Sequence, residues 1–480
     1  MRKSIISILP ALLAAFTLLL TPAMTAQAGL LGPDKLTLKM ENEMGRNFDM
    51  IIRSQMPMVG DTYITEYVDE IVQRIVKAKR PMPFRVKSAV VANPILNAFA
   101  IPGGFIYIFT GLVQEVETEA QLAGVISHEL AHVSQRHVAS RIEKQKKIGM
   151  LAMAGTLAGL LLGVAAGDAN TLKASQALMI GSRGAATAAM LNYSQDDERE
   201  ADHVGMNALV KAGYNPRGMP ETFEVMLKNK WFDSGAQMPT YLSTHPGLAD
   251  RIIYLNDRIK RMPKVFLDRK DDNTRLKKIQ ALVRSKMSPA TTAMAYYDNK
   301  KRDEYTAFDY MARGIVLNRL KDSDEAEKAY AKALEMAPKE PIISREVGIF
   351  YFKSGNHSKA FQYLHMAAIK NQKDALALFY LARIQEEADQ YSRAEANMRK
   401  VLELVPEDWE VHKHLGMILG ESGDPFGGNL HLAYSALYSS NIRKARYHAQ
   451  RAGAVAKGKA QEKQLEKLNN AIAARAKFLK

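Results

Sequence analysis

Residues 127–132 read Ser-His-Glu-Leu-Ala-His. Two histidines four positions apart, with a glutamate directly after the first, are the side chains a hydrolytic metal site needs: two imidazole ligands and a carboxylate to handle a proton. A chain rich in charged residues meets this string by accident now and then, so the surroundings must carry the interpretation. From Thr118, the stretch TEAQLAGVISHELAHVSQRHV opens with a capping-box pair, Thr118 and Gln121, and places Leu122, Val125, Ile126, Leu130 and Val133 at helical intervals. The motif therefore lies inside a buried helix. Residues i and i+4 share a face there, so His128 and His132 project together while Glu129 stands about 100° round from His128. His137 and His203 are near the motifs but not at ligand spacing, and they read as structural or as peripheral hydrogen-bond donors.

A catalytic zinc keeps three protein ligands and one open position for water. The third ligand must come from another helix, for which SQDDEREADHVGMNALVKAG at 194–213 is the candidate. Ser194 can cap it, acids fill its first turn and Gly213 follows its end. Glu198 and Asp202 share a face, and Ala201 and Gly205 leave room for close packing. One carboxylate could then ligate the metal while the other accepts the N–H of a ligating histidine. The plainer alternative is an acidic helix start facing solvent.

The elements that must position these groups are legible in outline. Residues 36–80 read as two amphipathic helices, the second with Ile64, Val68, Ile71, Val72 and Ile75 on one side. FRVKSAVVA and AFAIPGGFIYIF read as strands, with Pro102-Gly103-Gly104 as a turn. The apolar stretch 148–166 and the small-residue stretch 174–191 read as a helical hairpin packed over the active-site helix, with a membrane-inserted pair as the alternative.

The chain has 480 residues, enough for two folded units, and no cysteine, so it carries no disulfide and no lipid-anchored start. Met1-Arg2-Lys3, an apolar run and Ala26-Gln27-Ala28 read as a cleavable export signal over residues 1–28, with a retained anchor as the alternative. The formal net charge of +15 is scattered through helical segments and thickens toward the C-terminal third. Export and the absence of an aromatic-rich basic motif argue against nucleic acid and favour a solvated basic surface.

Further on, Gly314, Gly348, Ala382 and Gly416 recur every 34 residues, Ala326, Ala360 and Ala394 follow twelve later, and Pro338 and Pro406 stand two periods apart. This is the tetratricopeptide pattern, small residues where paired helices cross. GDPFGG at 423–428 predicts an irregular or bent fourth unit, with the spacing resuming at Ala433 and Ala445 and a capping helix over 460–479. The expected organisation is a signal (1–28), a zinc metallopeptidase domain (29–265), a helical connector (266–302) and a separable repeat domain (303–480). The fold class is mainly α with a small β-sheet: a zincin-like domain followed by an α-solenoid.

HELAH followed by EREAD resembles the HExxH and ExxxD pair of metallopeptidase family forty-eight, and AFAIPGGFIYIFTGL is similar to that family's lead-in. The export signal and the repeats narrow the resemblance to its periplasmic β-barrel assembly-enhancing group. It implies a zinc endopeptidase with one Zn2+ per chain, His128, His132 and Glu198 as ligands, Glu129 as general base and Asp202 as the carboxylate behind a ligand. STHPGLADR at 243–251 resembles the family's HP...R segment, in which His245 approaches the metal and Arg251 steadies the site. For His245 three roles stay open: a fourth ligand that keeps the enzyme latent, an oxyanion donor, or a loop histidine without metal contact.

An extended substrate is expected along an edge strand formed by Phe105, Ile106, Tyr107, Ile108 and Phe109. By resemblance, substrates are unfolded or misassembled outer-membrane proteins and the repeats dock the β-barrel assembly machinery. Peripheral membrane contact is left open. The competing functions are a mainly non-proteolytic chaperone or scaffold with a latent metal site, and an integral membrane peptidase that uses 148–191 as spans.

Overall fold

The computed structural model describes residues 35–144, 193–232, 241 and 244–476. The export signal and the 148–166 and 174–191 stretches lie outside the described residues. Among those described, no helix is long and apolar enough to cross a membrane.

Helices α1 (Leu38–Gln55) and α2 (Thr62–Lys79) lead in. Asp61 caps α2 by accepting from the Tyr63 amide at 3.1 Å, and the expected stripe from Ile64 to Ile75 is buried. Strands β1 (Lys87–Val91), β2 (Ala98–Ile101) and β3 (Phe105–Phe109) follow, in the order β1-β3-β2. β1 runs parallel to β3 and β2 antiparallel to it. This corrects the expectation of an edge strand at Phe105, Ile106, Tyr107, Ile108 and Phe109. β3 is the middle strand, paired on both sides, and all five of its side chains are buried. Gly103 and Gly104, at φ 82° and 87°, turn β2 directly into β3, while β1 is brought to the other flank through a longer connection. The strand packed against the motif helix is β2, whose outer side pairs with no strand among the described residues.

Helices α3 (Thr110–Glu115), α4 (Glu119–Gln135), α5 (His137–Lys144), α6 (Gln195–Lys211), α7 (Gly218–Phe232) and α8 (Leu248–Lys260) complete this part. α4 is buried from Ala120 to Val133 between α6 and α7. A Cβ on Gly205 would stand 2.9 Å from the Ser127 carbonyl oxygen, so only glycine lets α6 come this close to the motif.

Short α9 (Lys264–Leu267) and helices α10 (Thr274–Met287) and α11 (Ala290–Asn299) lead to the repeats. Four helix pairs follow: α12 (Ala307–Arg319) with α13 (Ser323–Met336), α14 (Pro341–Lys353) with α15 (His357–Lys370), α16 (Ala375–Glu387) with α17 (Tyr391–Leu404), and α18 (Trp409–Glu421) with α19 (Pro425–Tyr438). Helices α20 (Ile442–Val455) and α21 (Gly458–Ala476) close the described chain.

The predicted irregularity at GDPFGG is not there. The α18–α19 pair keeps the 34-residue period of its predecessors, with first helices starting at 307, 341, 375 and 409. Gly423 (φ 88°) ends α18 and Asp424 caps α19 by accepting from Gly427 N at 2.9 Å. Gly428 then takes the small position twelve residues past Gly416, where a Cβ would come within 3.1 Å of the Gly416 oxygen. The glycines that look like a break are the crossing itself.

One hydrophobic core runs from Val59 through the sheet and α4 to Phe350 in α14, so the first repeats share their core with the motif-bearing part. At that seam Arg345 of α14 is fully buried. It forms a two-pronged pair with Asp61 (2.9 and 2.7 Å), reaches Glu346 at 2.7 Å and stands 3.5 Å from Asp374.

Candidate metal centre

Thr118 caps α4 by accepting from the Gln121 amide at 3.2 Å, and Ser194 with Asp197 forms a capping box on α6. These two helix starts set the rotation of the helices, and close approach at Gly205 sets their separation. His128 and His132 thereby face Glu198, and the loop before α8 brings in His245. All four are buried, and each offers one donor atom such that the four atoms lie within 4.8 Å of one another. His128 Nε2 is 3.0 Å from His132 Nε2 and 3.4 Å from Glu198 Oε2, and His132 Nε2 is 3.4 Å from Glu198 Oε1. His245 Nδ1 stands 3.0 Å from Glu198 Oε1 and 3.4 Å from His128 Nε2.

Asp202 lies one turn beyond Glu198 and meets His128 Nδ1 at 2.9 Å. Arg251 of α8 grips Asp202 with Nε and Nη2, both at 2.7 Å, and its Nη1 also donates to Glu198. Tyr254 donates to Asp202 as well. The ring of His245 lies between Tyr241 (centroids 4.2 Å apart) and Tyr193 (5.0 Å), and Tyr193 also covers His132 at 3.7 Å.

The electrostatics follow from burial and these partners. Burial and the Arg251 charge act to lower His128, but hydrogen bonds to Asp202 and Glu198 outweigh them and push it up to about 9. Burial alone would raise Glu198, yet His245 and then His128 and His132 hold it far below the usual carboxylate range. Burial drives His132 well below its ordinary value, so it is a neutral imidazole. Burial raises Glu129. That carboxylate is fully buried, neither of its oxygens accepts a hydrogen bond among the described residues, and His245 Nε2 is 3.5 Å from its Oε1.

This donor set fits a metal cation. Three imidazoles and an ionised carboxylate converge, and Asp202 stands at the second nitrogen of His128 as its acceptor. A buried carboxylate without a hydrogen bond is costly unless something polar meets it, and Glu129 is placed to meet a water or a substrate at that point.

Of the residues singled out in sequence, His128, Glu129, His132, Glu198, Asp202, His245 and Arg251 come together, whereas exposed His203 does not join them and β3 is not an edge. Tyr193, Tyr241 and Tyr254 carry no spacing signal and were missed. His137, expected to be structural or a peripheral hydrogen-bond donor, has its Nδ1 2.8 Å from His132 Nδ1. Beside the cluster a cleft is lined by Glu41, Ala100, Ile101, Gly103, Arg136 and Tyr193, with His132 at its wall.

Residues 62–259 match Peptidase family M48. The chain is 31% identical over 239 residues to a putative beta-barrel assembly-enhancing protease of Vibrio cholerae serotype O1, covering 50% of this chain and 48% of that protein. It is 28% identical over 251 residues to the beta-barrel assembly-enhancing protease of Escherichia coli strain K12, covering 52% and 49%. Mitochondrial metalloendopeptidase OMA1 of Arabidopsis thaliana is 36% identical over 157 residues, covering 33% of this chain and 28% of that protein. The chain thus spans about half the length of the assembly-enhancing proteases it matches. A metallopeptidase family implies a bound metal, and the only group of donors among the described residues that could hold one is the His128, His132, Glu198, His245 cluster. Residues 62–259, the part of the chain similar to Peptidase family M48, contain all four donors of this cluster.

Proposed function

We propose that the chain is an exported zinc endopeptidase, with one Zn2+ held by His128, His132 and Glu198, acting in the periplasm on outer-membrane proteins that fail to assemble. The observation that carries this reading is the convergence of those donors beside a buried Glu129 that has no hydrogen bond among the described residues. Two histidines and a glutamate are a familiar catalytic zinc set. When bound, zinc would supply Lewis acidity at the scissile carbonyl and a lowered pKa for water. Glu129 takes the proton of the attacking water and returns it to the leaving amine, a role suited to a carboxylate raised by burial. Asp202 fixes His128 by accepting at Nδ1, and Arg251 ties Asp202 to Glu198. An extended substrate would pair with the outer side of β2, since Ala100 and Ile101 line the cleft beside His132.

The substrate class and the docking of the assembly machinery on the repeats rest on the names of the relatives and on the concave surface such repeats build. The organisation into 29–265, 266–302 and 303–480 belongs to the same proposal, as do export through residues 1–28 and any peripheral membrane contact. Zinc analysis and casein digestion by residues 29–480 test the core of it. Glu198→Ala should lower zinc content. Unchanged stoichiometry in that variant would remove Glu198 from the ligand set.

His245 favours a second feature of the reading, latency. Its Nδ1 sits among the other donors, so it would fill the position that a nucleophilic water needs. The scaffold alternative is then the resting state, and the protease is released when the 243–251 segment moves. His245→Ala is expected to raise basal casein hydrolysis or self-cleavage. Lost activity would make His245 an oxyanion donor, and unchanged activity a structural loop residue.

A further inference from the structure

α4 ends at Gln135, and Arg136 takes a left-handed conformation (φ 55°, ψ 38°) before α5 begins at His137. A bulky residue adopts this region only when its surroundings hold it there. Here the Arg136 guanidinium donates to buried Glu41 at 2.6 Å and to the Leu36 carbonyl at 2.5 Å. Had the helix continued, His137 would stand about 140° round from His132. The left-handed turn instead brings its ring back edge-on to His132, with centroids 4.9 Å apart and the two Nδ1 atoms 2.8 Å apart. On the far side His137 Nε2 meets Glu200 Oε2 at 3.3 Å, and Gln135 donates to the other Glu200 oxygen at 2.6 Å.

With His137 neutral and Glu200 ionised, these contacts allow one consistent arrangement of protons. Ionised Glu200 can only accept, so His137 carries its proton on Nε2 and presents a lone pair at Nδ1. His132 must then donate from Nδ1, which leaves the lone pair of its Nε2 directed at His128 Nε2 and Glu198 Oε1.

We propose that His137 and Glu200 form a positioning relay that locks His132 in its metal-presenting tautomer, with the left-handed turn at Arg136 aiming the relay. The inference rests on the reading of His132 as a ligand. His128 receives the same service from Asp202 directly. The two ligands are therefore held by different acceptors: a buried carboxylate for His128, and a neutral imidazole backed by a half-exposed carboxylate for His132. α6 supplies a residue to each device as well as Glu198 itself.

The test compares His137→Phe, which keeps a ring but has no acceptor, with His137→Asn, whose side-chain oxygen can take the place of Nδ1. Zinc affinity by chelator competition and the visible spectrum of the cobalt-substituted protein are read beside His132→Ala and wild type. The relay predicts that His137→Phe loses about tenfold to a hundredfold in zinc affinity with a changed cobalt spectrum, and that His137→Asn recovers most of both. Glu200→Ala, a change on the surface, should weaken zinc binding a few-fold and covers the case in which His137→Phe fails to fold. Wild-type affinity in His137→Phe or Glu200→Ala, or an Asn variant no better than Phe, overturns the relay. If His132→Ala itself binds zinc as wild type does, the ligand assignment fails instead.

Discussion

Glu129→Gln is expected to keep wild-type zinc content and lose casein hydrolysis by about a hundredfold to ten-thousandfold, the usual contribution of a positioned general base. The substitution keeps the size of the side chain, and the donor atoms of His128, His132 and Glu198 are untouched. What disappears is the carboxylate proposed to take the proton from water, which is not among the four converging donors. Stability should not fall with activity. Glu129 is fully buried, has no hydrogen-bond partner among the described residues and is raised by burial, so a neutral amide removes a desolvated charge. Zinc analysis, thermal melting and casein digestion on one preparation check all three statements. Activity equal to the parent would take the proton-transfer role away from Glu129.

Arg345→Leu is expected to cost about 3–5 kcal/mol of stability, the scale found when one partner of a buried ion pair is removed. The guanidinium joins Asp61, Glu346 and Asp374; without it, among the described residues, Asp61 and Glu346 keep an ion pair with Lys286, at 3.1 and 2.7 Å, and Asp374 keeps none. Denaturant melts of the two proteins measure the loss. A change under about 1 kcal/mol, typical of an exposed pair, would mean that the cluster is solvated. The pH dependence has a definite sign. Burial works to raise Asp61, but Arg345 and Lys286 outweigh it and hold it below the ordinary range. A carboxylate depressed on folding adds stability above its unfolded pKa of about 3.9 and loses it as pH falls toward the folded value. The gap between parent and variant should therefore persist from neutral pH down to about 4 and shrink below it.

The same node bears on whether residues 303–480 fold alone. Separated from residues 29–302, the array would present Arg345 without Asp61 and expose the part of the common core formed by Met311, Ile315, Val347 and Phe350. Its first two pairs should then melt below the rest.

Local rules were enough for a good part of this molecule. Thr118 and Ser194 mark helix starts because a side-chain oxygen can satisfy an amide a few residues on, and nothing distant is required. The four-residue spacing of His128 and His132 puts both on one face of any α-helix. The 34-residue recurrence of small residues marks helix crossings, and it holds even at Gly428, where the surrounding glycines disguised it.

What only the tertiary structure decided depends on which distant segments meet. β3 lies between its neighbours because β1 returns beside it in parallel, and strand order in a sheet is not written in strand order along the chain. Its unbroken apolar run, Phe-Ile-Tyr-Ile-Phe, was the one hint that it is covered on both faces. His137 stands off the face of His132 in any continuous helix, and only a turn held by Arg136 through Glu41 and Leu36, far earlier in the chain, brings it back. Tyr193 and Tyr241 flank His245 through space, with no periodicity to announce them. Asp61 caps α2 through a local contact, but its buried pairing with Arg345 exists only because the repeats fold back onto α2.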